Sequence, residues 1–486
     1  MAEQSIIGIT SFGAFIPRRR LQRSAIAAAH SWGFPGLKGQ AKGERSMCSW
    51  DEDVITMAVE AGRDCLRGMN AASVTGLTLA STTAPYADIN NAVFVNAALQ
   101  LPAGAGAAES SGSTRAGLST LIASCRGASA DGTALVLASE QRKAKPASVL
   151  EMQVGCGAGA LAVGAGDDVI ARFLGAETVS VPFIDHFRKS GSDFDYGWEE
   201  RWIRDEGVAK IIPAAVKRLL EKTGLSPERI AHFGLSGGPA KSDAAVARKL
   251  KLAPDALLPG FAEQVGGTGT AQPLLLLISA LERAQPGEVI VIVSFAQGCE
   301  VVAFEMGNAP AVAGRRGLAG SIAQRIEETT YLKLLSNDGQ IDLDWGMRAE
   351  TDHKTALTQL YRVSDQIFGF VGGACSACGQ IQFPRSPTCV NCGETDTQKP
   401  YSLVDAPAKV ATYTADWLQY SPAPPLYMGL VQFDAGARVL MEIVDVGPGG
   451  IEVGTPLAMT FRKKERDKLR GWDRYFWKAA PTSESS

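Results

Sequence analysis

A chain of 486 residues with 45% hydrophobic content exceeds one ordinary domain and carries enough apolar side chains for a large core and a satellite. Its 48 basic and 51 acidic residues leave a formal charge of −3, too weak a field to draw the chain to polyanions, so nucleic acid is not an expected partner. The opening MAEQSIIGIT has no basic stretch ahead of an apolar one, and no apolar run approaches the roughly 20 residues that span a bilayer, so a soluble, cytoplasmic protein without a membrane partner is expected.

In chain order, GLTLASTTAPYADINNAVFVNAALQLP reads as strand, turn and helix. The small-residue turn and apolar helix of SGSTRAGLSTLIAS follow, then the buried strand GTALVLASE. HFGLSGGPAKSDAAVARKLKLAP, VGGTGTAQPLLLLISAL and GEVIVIVSF repeat that order. The repeat predicts two similar α/β halves, residues 1–165 and 166–315, related by a pseudo-twofold axis, with their glycine-rich turns converging on one site. Cys48, Cys65, Cys125, Cys156 and Cys299 are scattered singly through this part, as reduced and mostly buried thiols would be. Residues 316–368 read as a helical linker.

The other four cysteines stand in CSACGQIQFPRSPTCVNCG, which supplies two CxxC knuckles, Cys375 with Cys378 and Cys389 with Cys392, each followed by Gly. This spacing predicts a zinc ribbon over residues 369–396, with a redox pair or two disulfides as the alternatives. A closed four-thiolate site leaves no open position for substrate, so the zinc is structural. Beyond it, KVATYTADW, PLYMGLVQFD, ARVLMEIVDV, TPLAMTFRKK and RYFWKA are short β-rich runs between turns, and they predict a small OB-fold barrel over residues 397–480. The basic and aromatic RKKERDKLRGWDRYFWK suits a grip on phosphate or a nucleobase, or a solvated edge strand.

IIGITSFGAFIPRRRL, SWDEDVITMAVEAGRDCL, VGCGAGALAVG and VGGTGTAQPLLLLISALERAQPGEVIVIVSF resemble the thiolase superfamily, nearest to 3-hydroxy-3-methylglutaryl-CoA synthase. The remaining third resembles the zinc-ribbon plus OB-fold accessory domain found with thiolase-like enzymes that handle acyl-CoA. The resemblance implies an α/β class: a duplicated thiolase-like fold with two βαβ-type halves, layered α/β/α/β/α, followed by the zinc ribbon and a small OB-fold β-barrel. It also implies a homodimer and coenzyme A as substrate or cosubstrate.

Carried over residue by residue, the family's nucleophilic Cys falls on Thr114, its acid/base Glu on Thr82, its His near Ser236 and its Asn on Gly267. What remains is backbone: the turn at Thr114, and Gly298 in SFAQGC, where the superfamily contributes an amide to an oxyanion hole. The chemistry expected is retro-Claisen cleavage or formation of a carbon–carbon bond in a β-keto acid or β-ketoacyl-CoA, with CoA thiol or water attacking directly and no acyl-enzyme. The alternatives are retro-aldol cleavage of a β-hydroxyacyl-CoA and a synthase-like condensation. A different class, a non-catalytic scaffold or a nucleic-acid-binding zinc-OB module, competes with both. Candidate bases are Tyr196, Asp195, Tyr86, His232, and His186 beside Asp185; Cys299 is a candidate relocated nucleophile, whereas Cys156 reads as a packing thiol. Arg115 and Gly267, in the two turns, are the candidates for contact with CoA.

Overall fold

The computed structural model describes residues 6–309, 314–350 and 356–482, so residues 351–355 of the expected linker lie outside the described residues. The chain divides into two compact units, one comprising Met1–Met47, Asp53–Val93 and Leu101–Tyr331, the other Cys48–Glu52, Phe94–Gln100 and Leu332–Ser486.

The first unit is built on a nine-stranded sheet. Its strands are β1 (Ile7–Phe15), β2 (Val74–Ala80), β3 (Gly106–Ser110), β4 (Thr133–Gln141), β5 (Cys156–Ala165), β6 (Ala171–Ser180), β7 (Ile230–Ser236), β8 (Val289–Phe295) and β9 (Gly298–Met306), in the order β7-β8-β9-β6-β1-β5-β4-β2-β3. The duplication is visible in the pairing. Outward from the antiparallel contact of β1 with β6, one half runs antiparallel to β5, antiparallel to β4, then parallel to β2 and β3. The other runs antiparallel to β9, antiparallel to β8, then parallel to β7. The copy of β3 has shrunk to a single parallel bridge, Phe233 with Leu257.

Two helices occupy the middle of this unit. α1 (Ala116–Gly127) and α2 (Gln272–Leu281) are the buried helices of the two copies, and α2 is covered all round, as PLLLLISAL requires of a helix without a polar face. They approach closely: a Cβ on Gly117 would lie 2.3 Å from the Thr270 carbonyl oxygen, so only glycine admits the contact. β8, VIVIVSF, is buried along its whole length, which suits a strand covered on both faces.

In the second unit, β10 (Val371–Cys375) pairs with β11 (Ile381–Gln382) and β12 (Gln398–Ser402) around the ribbon. The five runs expected to form the barrel are β13 (Ala408–Asp416), β14 (Leu426–Phe433), β15 (Arg438–Glu442), β16 (Pro456–Asp467) and β17 (Trp472–Pro481), in the order β15-β14-β13-β16-β17. A parallel bridge from Ile443 to Ala479 ties the end of β15 to β17. Alternation along β13, β14, β16 and β17 sends Val410, Val431, Phe433, Met459, Phe461, Tyr475 and Trp477 inward.

The segment read as a linker is not one helical piece. Ile326–Glu328 is a strand running parallel to Arg19–Gln22, and the division between the units falls at Tyr331. Strand pairing with a distant part of the chain is invisible to local periodicity; the α-helices described in this stretch are Gly317–Ala323, Tyr331–Asn337, Leu357–Arg362 and Ser364–Ile367.

Candidate active site

The turn before α1 and the turn joining β8 to β9 are fastened to each other. Ser113 Oγ donates to Gln297 Oε1 at 2.9 Å, and Arg115 Nε donates to the Ala296 carbonyl at 2.6 Å. Gln297 (φ 48°) and Gly298 (φ 121°) turn the chain through left-handed conformations, and a Cβ at Gly298 would stand 2.2 Å from the Val179 carbonyl oxygen. Thr114 is half-buried between Ser113 and Arg115. The remainder of the Arg115 guanidinium, with Nη1 3.3 Å from Glu300 Oε1, is committed to an internal ion pair, and Ser119 Oγ donates to Glu300 Oε2 at 2.7 Å. Arg115 therefore braces the two turns, and its charge is not presented as a ligand for a CoA phosphate.

A carboxylate that the sequence reading missed lies beside Thr82. Glu140, at the end of β4, is fully buried and collects hydroxyl groups: Thr82 Oγ1 donates at 2.9 Å, Thr83 Oγ1 at 2.5 Å, and Thr270 Oγ1 also donates. The Thr82 amide adds a bond at 3.2 Å. These donors come from the turn after β2 and the turn before α2, one from each half. The position that holds the family's glutamate is thus a threonine with a glutamate from the neighbouring strand at its hydroxyl. The signal was a Glu closing the otherwise apolar GTALVLASE, since a carboxylate ending a buried strand needs donors supplied from elsewhere.

The hairpin of His186–Phe187 with Tyr196–Gly197 forms the next wall. His186 Nδ1 lies 2.8 Å from Asp185 Oδ2. Gln297 Nε2 donates to Asp185 Oδ1 at 2.5 Å and to the His186 carbonyl at 3.1 Å, so this pair holds the Gln297–Gly298 turn. Burial alone would raise the Asp185 carboxyl; the hydrogen bond and charge of His186 more than offset it, and the group sits below the usual carboxylate range. Asp195 does not stand ready as a base, because Arg142 holds its Oδ2 through Nε at 3.0 Å. Tyr196 is exposed, its ring 5.3 Å from that of Phe187.

Three further candidates are placed elsewhere. Cys299 points into the apolar cluster of Val208, Val216, Phe233 and Val301 with no accessible surface, and burial pushes its thiol up to about 12, which removes the thiolate that a nucleophile needs. Adjacency to Gly298 in sequence misled here, since successive strand residues face opposite sides of a sheet. His232 lies four residues up β7 from Ser236 and bonds Glu288 Oε2 at 2.8 Å, away from the strand end that carries the turns. Gly267 spends its backbone on pairing: its N–H donates to Gln153 and its carbonyl accepts from Gly155, so it offers no group to a cofactor.

In the second unit, the Sγ atoms of Cys375, Cys378, Cys389 and Cys392 lie within 4.8 Å of one another, with Cys375 to Cys392 at 3.8 Å and Cys378 to Cys389 at 3.6 Å. Tetrahedral zinc with bonds of about 2.3 Å separates its sulfurs by about 3.8 Å, so the donor set fits. Each knuckle closes alike: the Gly379 amide donates to Cys375 and the Gly393 amide to Cys389, both glycines at positive φ (77° and 76°). All nine cysteines are unbridged, which removes the disulfide alternative.

Comparison with known proteins agrees with both units. Residues 368–398 match the model described as ChsH2, rubredoxin-like zinc ribbon domain, and residues 403–462 match ChsH2, C-terminal OB-fold domain. The hydroxymethylglutaryl-CoA synthase of Aeropyrum pernix is 29% identical over 366 residues, covering 74% of this chain and 97% of that protein. Two solved structures share the fold: MvaS in complex with 3-hydroxy-3-methylglutaryl coenzyme A (TM-score 0.58, 18% identity, 70% of this chain and 93% of that one), and FabH, a 3-oxoacyl-(acyl carrier protein) synthase III from Pseudomonas aeruginosa PAO1 (TM-score 0.55, 21% identity, 62% and 99%). The first unit therefore has a thiolase-like fold. Relatives named hydroxymethylglutaryl-CoA synthase match about two thirds to three quarters of the chain, and a zinc ribbon and an OB-fold lie beyond the thiolase-like part.

Proposed function

We propose that the protein is a CoA-dependent acyltransferase that cleaves a β-keto acid or β-ketoacyl-CoA by retro-Claisen chemistry without an acyl-enzyme. The observation that carries this reading is the pairing of an intact backbone turn at Thr114 and Gly298 with a relocated carboxylate, Glu140, while no thiol stands in the turn. The CoA-named relatives and the MvaS complex support CoA as the acceptor. Glu140, buried behind the half-buried Thr82 hydroxyl that donates to it, takes the proton of the CoA thiol through that hydroxyl, and the thiolate adds to the ketone carbon. The alkoxide so formed is held by amides of the two turns. Its collapse breaks the bond to the carbon next to the carboxylate, which leaves with the electron pair and receives the proton back from Glu140. The products are one acyl-CoA and, according to the donor, one carboxylic acid or a second acyl-CoA. His186 and Asp185 act through Gln297, as positioning residues for the turn.

Retro-aldol cleavage of a β-hydroxyacyl-CoA is a second reading, favoured by the same carboxylate, because one base suffices to remove the hydroxyl proton and return it to the enolate. Incubation with CoA and acetoacetate, and separately with 3-hydroxy-3-methylglutaryl-CoA, followed by mass spectrometry of products, separates the two. Acetyl-CoA and acetate from the first mixture alone support the proposal; cleavage of only the second supports the retro-aldol reading. An acyl adduct on Thr114 in the intact-protein spectrum refutes direct attack. We also infer a homodimer, supported by β3, which ends the sheet as a five-residue edge strand.

A further inference from the structure

Transfer without an acyl-enzyme requires donor and CoA to occupy the site together, since no covalent step lets one leave before the other arrives. A β-ketoacyl-CoA donor would bring a second pantetheine arm into the same space. A free β-keto acid needs only a place for its carboxylate.

The wall beside Thr82 contains such a place. Arg188, on the hairpin, donates through Nη2 to the Thr82 carbonyl. Its Nη1 stands 3.9 Å from Asp195 Oδ1, beyond hydrogen-bond reach. Asp195 is already matched by Arg142, which grips Oδ2 through Nε at 3.0 Å and Nη2 at 2.5 Å. Asp195 Oδ1 is left buried with no hydrogen-bond partner. The Arg188 side chain keeps only 20% of its surface, yet among the described residues no carboxylate lies within hydrogen-bond distance of it. Asp195 is the counter-charge nearest to Arg188, but Arg142 already holds it, so two guanidiniums share one buried carboxylate and a second anion is favoured beside Arg188. The other ion pairs of the site are closed: Arg115 with Glu300, Arg142 with Asp195, His186 with Asp185. Arg188, with only its long and shared ion pair to Asp195, and Glu140 flank Thr82, which offers its carbonyl to the first and its amide and hydroxyl to the second.

We propose that Arg188 binds the substrate carboxylate, and that the acyl donor is a free β-keto acid rather than a second CoA thioester. The inference rests on the reaction proposed above and names its substrate class. A guanidinium takes a carboxylate through parallel N–H donors. As the carbon–carbon bond breaks, negative charge grows on the carbon next to that carboxylate, so the cation stabilises the transition state more than the ground state.

The test offers the full chain CoA with acetoacetate, methyl acetoacetate or acetoacetyl-CoA, and measures kcat and KM for each. Acetoacetate is expected to be preferred over its methyl ester by about ten- to a hundredfold in kcat/KM, the range of a hydrogen bond to a charged group. Arg188→Leu should abolish the preference, lowering kcat as well as raising KM for acetoacetate, and Arg188→Lys should restore part of it, which separates a role at the carboxylate from misfolding. Calorimetric titration with 3-hydroxybutanoate and its methyl ester reads the same site without turnover. Equal rates with acid and ester, or an Arg188→Leu variant that keeps the preference, overturn the carboxylate site and leave the reaction standing. No cleavage of any donor, with 3-hydroxybutanoate binding that Arg188→Leu abolishes, overturns the reaction and leaves the site. Neither cleavage nor anion binding overturns both.

Discussion

Three threonine hydroxyls, from Thr82, Thr83 and Thr270, converge on one buried carboxylate, Glu140. An amide at this position keeps the size and loses the base, so Glu140→Gln should lower kcat by about a hundredfold or more while the melting temperature moves little. Steady-state rates alongside a calorimetric scan check this, and retained turnover assigns Glu140 a purely structural role. Cys299 makes the opposite case. With its thiol pushed up to about 12 and no accessible surface, it should resist iodoacetamide in the native protein at pH 8 and react only after unfolding, which peptide mapping by mass spectrometry reads directly. Native labelling at Cys299 would reopen it as a nucleophile.

At the scale of elements, the second unit holds a buried ionic cluster that no local pattern announced. Arg462 on β16 reaches Asp445 Oδ2 at 2.5 Å, Glu52 Oε1 at 2.9 Å and Asp51 Oδ1 at 3.4 Å. Lys478 on β17 reaches Asp51 Oδ2 at 2.9 Å and Glu442 Oε2 at 2.7 Å. Burial would raise Asp51, but Lys478 and Arg462 override it and hold the group near about 2. Glu52 is driven the other way, to about 7, by burial first and then by Asp445 and Asp51, against the pull of Arg462. The signs therefore differ. Asp51 stabilises the fold above its ordinary pKa of about 4, and that contribution is lost as pH falls through about 2. Glu52 favours the fold when protonated, and its contribution declines as pH rises from about 4.5 through about 7. Stability of this unit should peak near pH 4 to 5 with respect to the cluster, and calorimetric scans from pH 3 to 8 test it; a flat profile would contradict the assignment. Arg462→Met leaves buried carboxylates without their cation and should cost about 3–5 kcal/mol.

The ribbon is the other element with a direct readout. One zinc per chain is expected by elemental analysis. Its removal with a thiol-reactive mercurial and chelator should unfold the β10–β12 sheet, because the knuckles have little core of their own. A metal-free chain with unchanged near-ultraviolet circular dichroism would show that the thiolates do not support the fold.

For the whole molecule, light scattering of the full chain at micromolar concentration should report a dimer, as the edge position of β3 suggests. A monomeric mass refutes it. No helix among the described residues is long and apolar enough to cross a membrane.

The sequence by itself determined the duplication, the doubled CxxC and the five barrel strands. Each is a local pattern: strand and helix periods repeated in order, thiols at fixed spacing, alternation between turns. It also determined what is missing at Thr114, Thr82 and Gly267, since a side chain absent from the sequence cannot be supplied by folding. Tertiary structure alone decided which groups surround those positions. Glu140 meets Thr82 because β4 and β2 are parallel neighbours, Arg188 reaches the same threonine from a hairpin 106 positions away, and Cys299 turns into the core because the sheet fixes which face it occupies. Likewise, SWDED reads as the approach to the helix Val54–Leu66, yet Asp51 and Glu52 pair with Arg462, 411 positions from Asp51. Spacing along the chain reports neighbours within a few residues; ion pairs and hydroxyl cages are set by strand order and register, and those emerge only when the whole sheet is assembled.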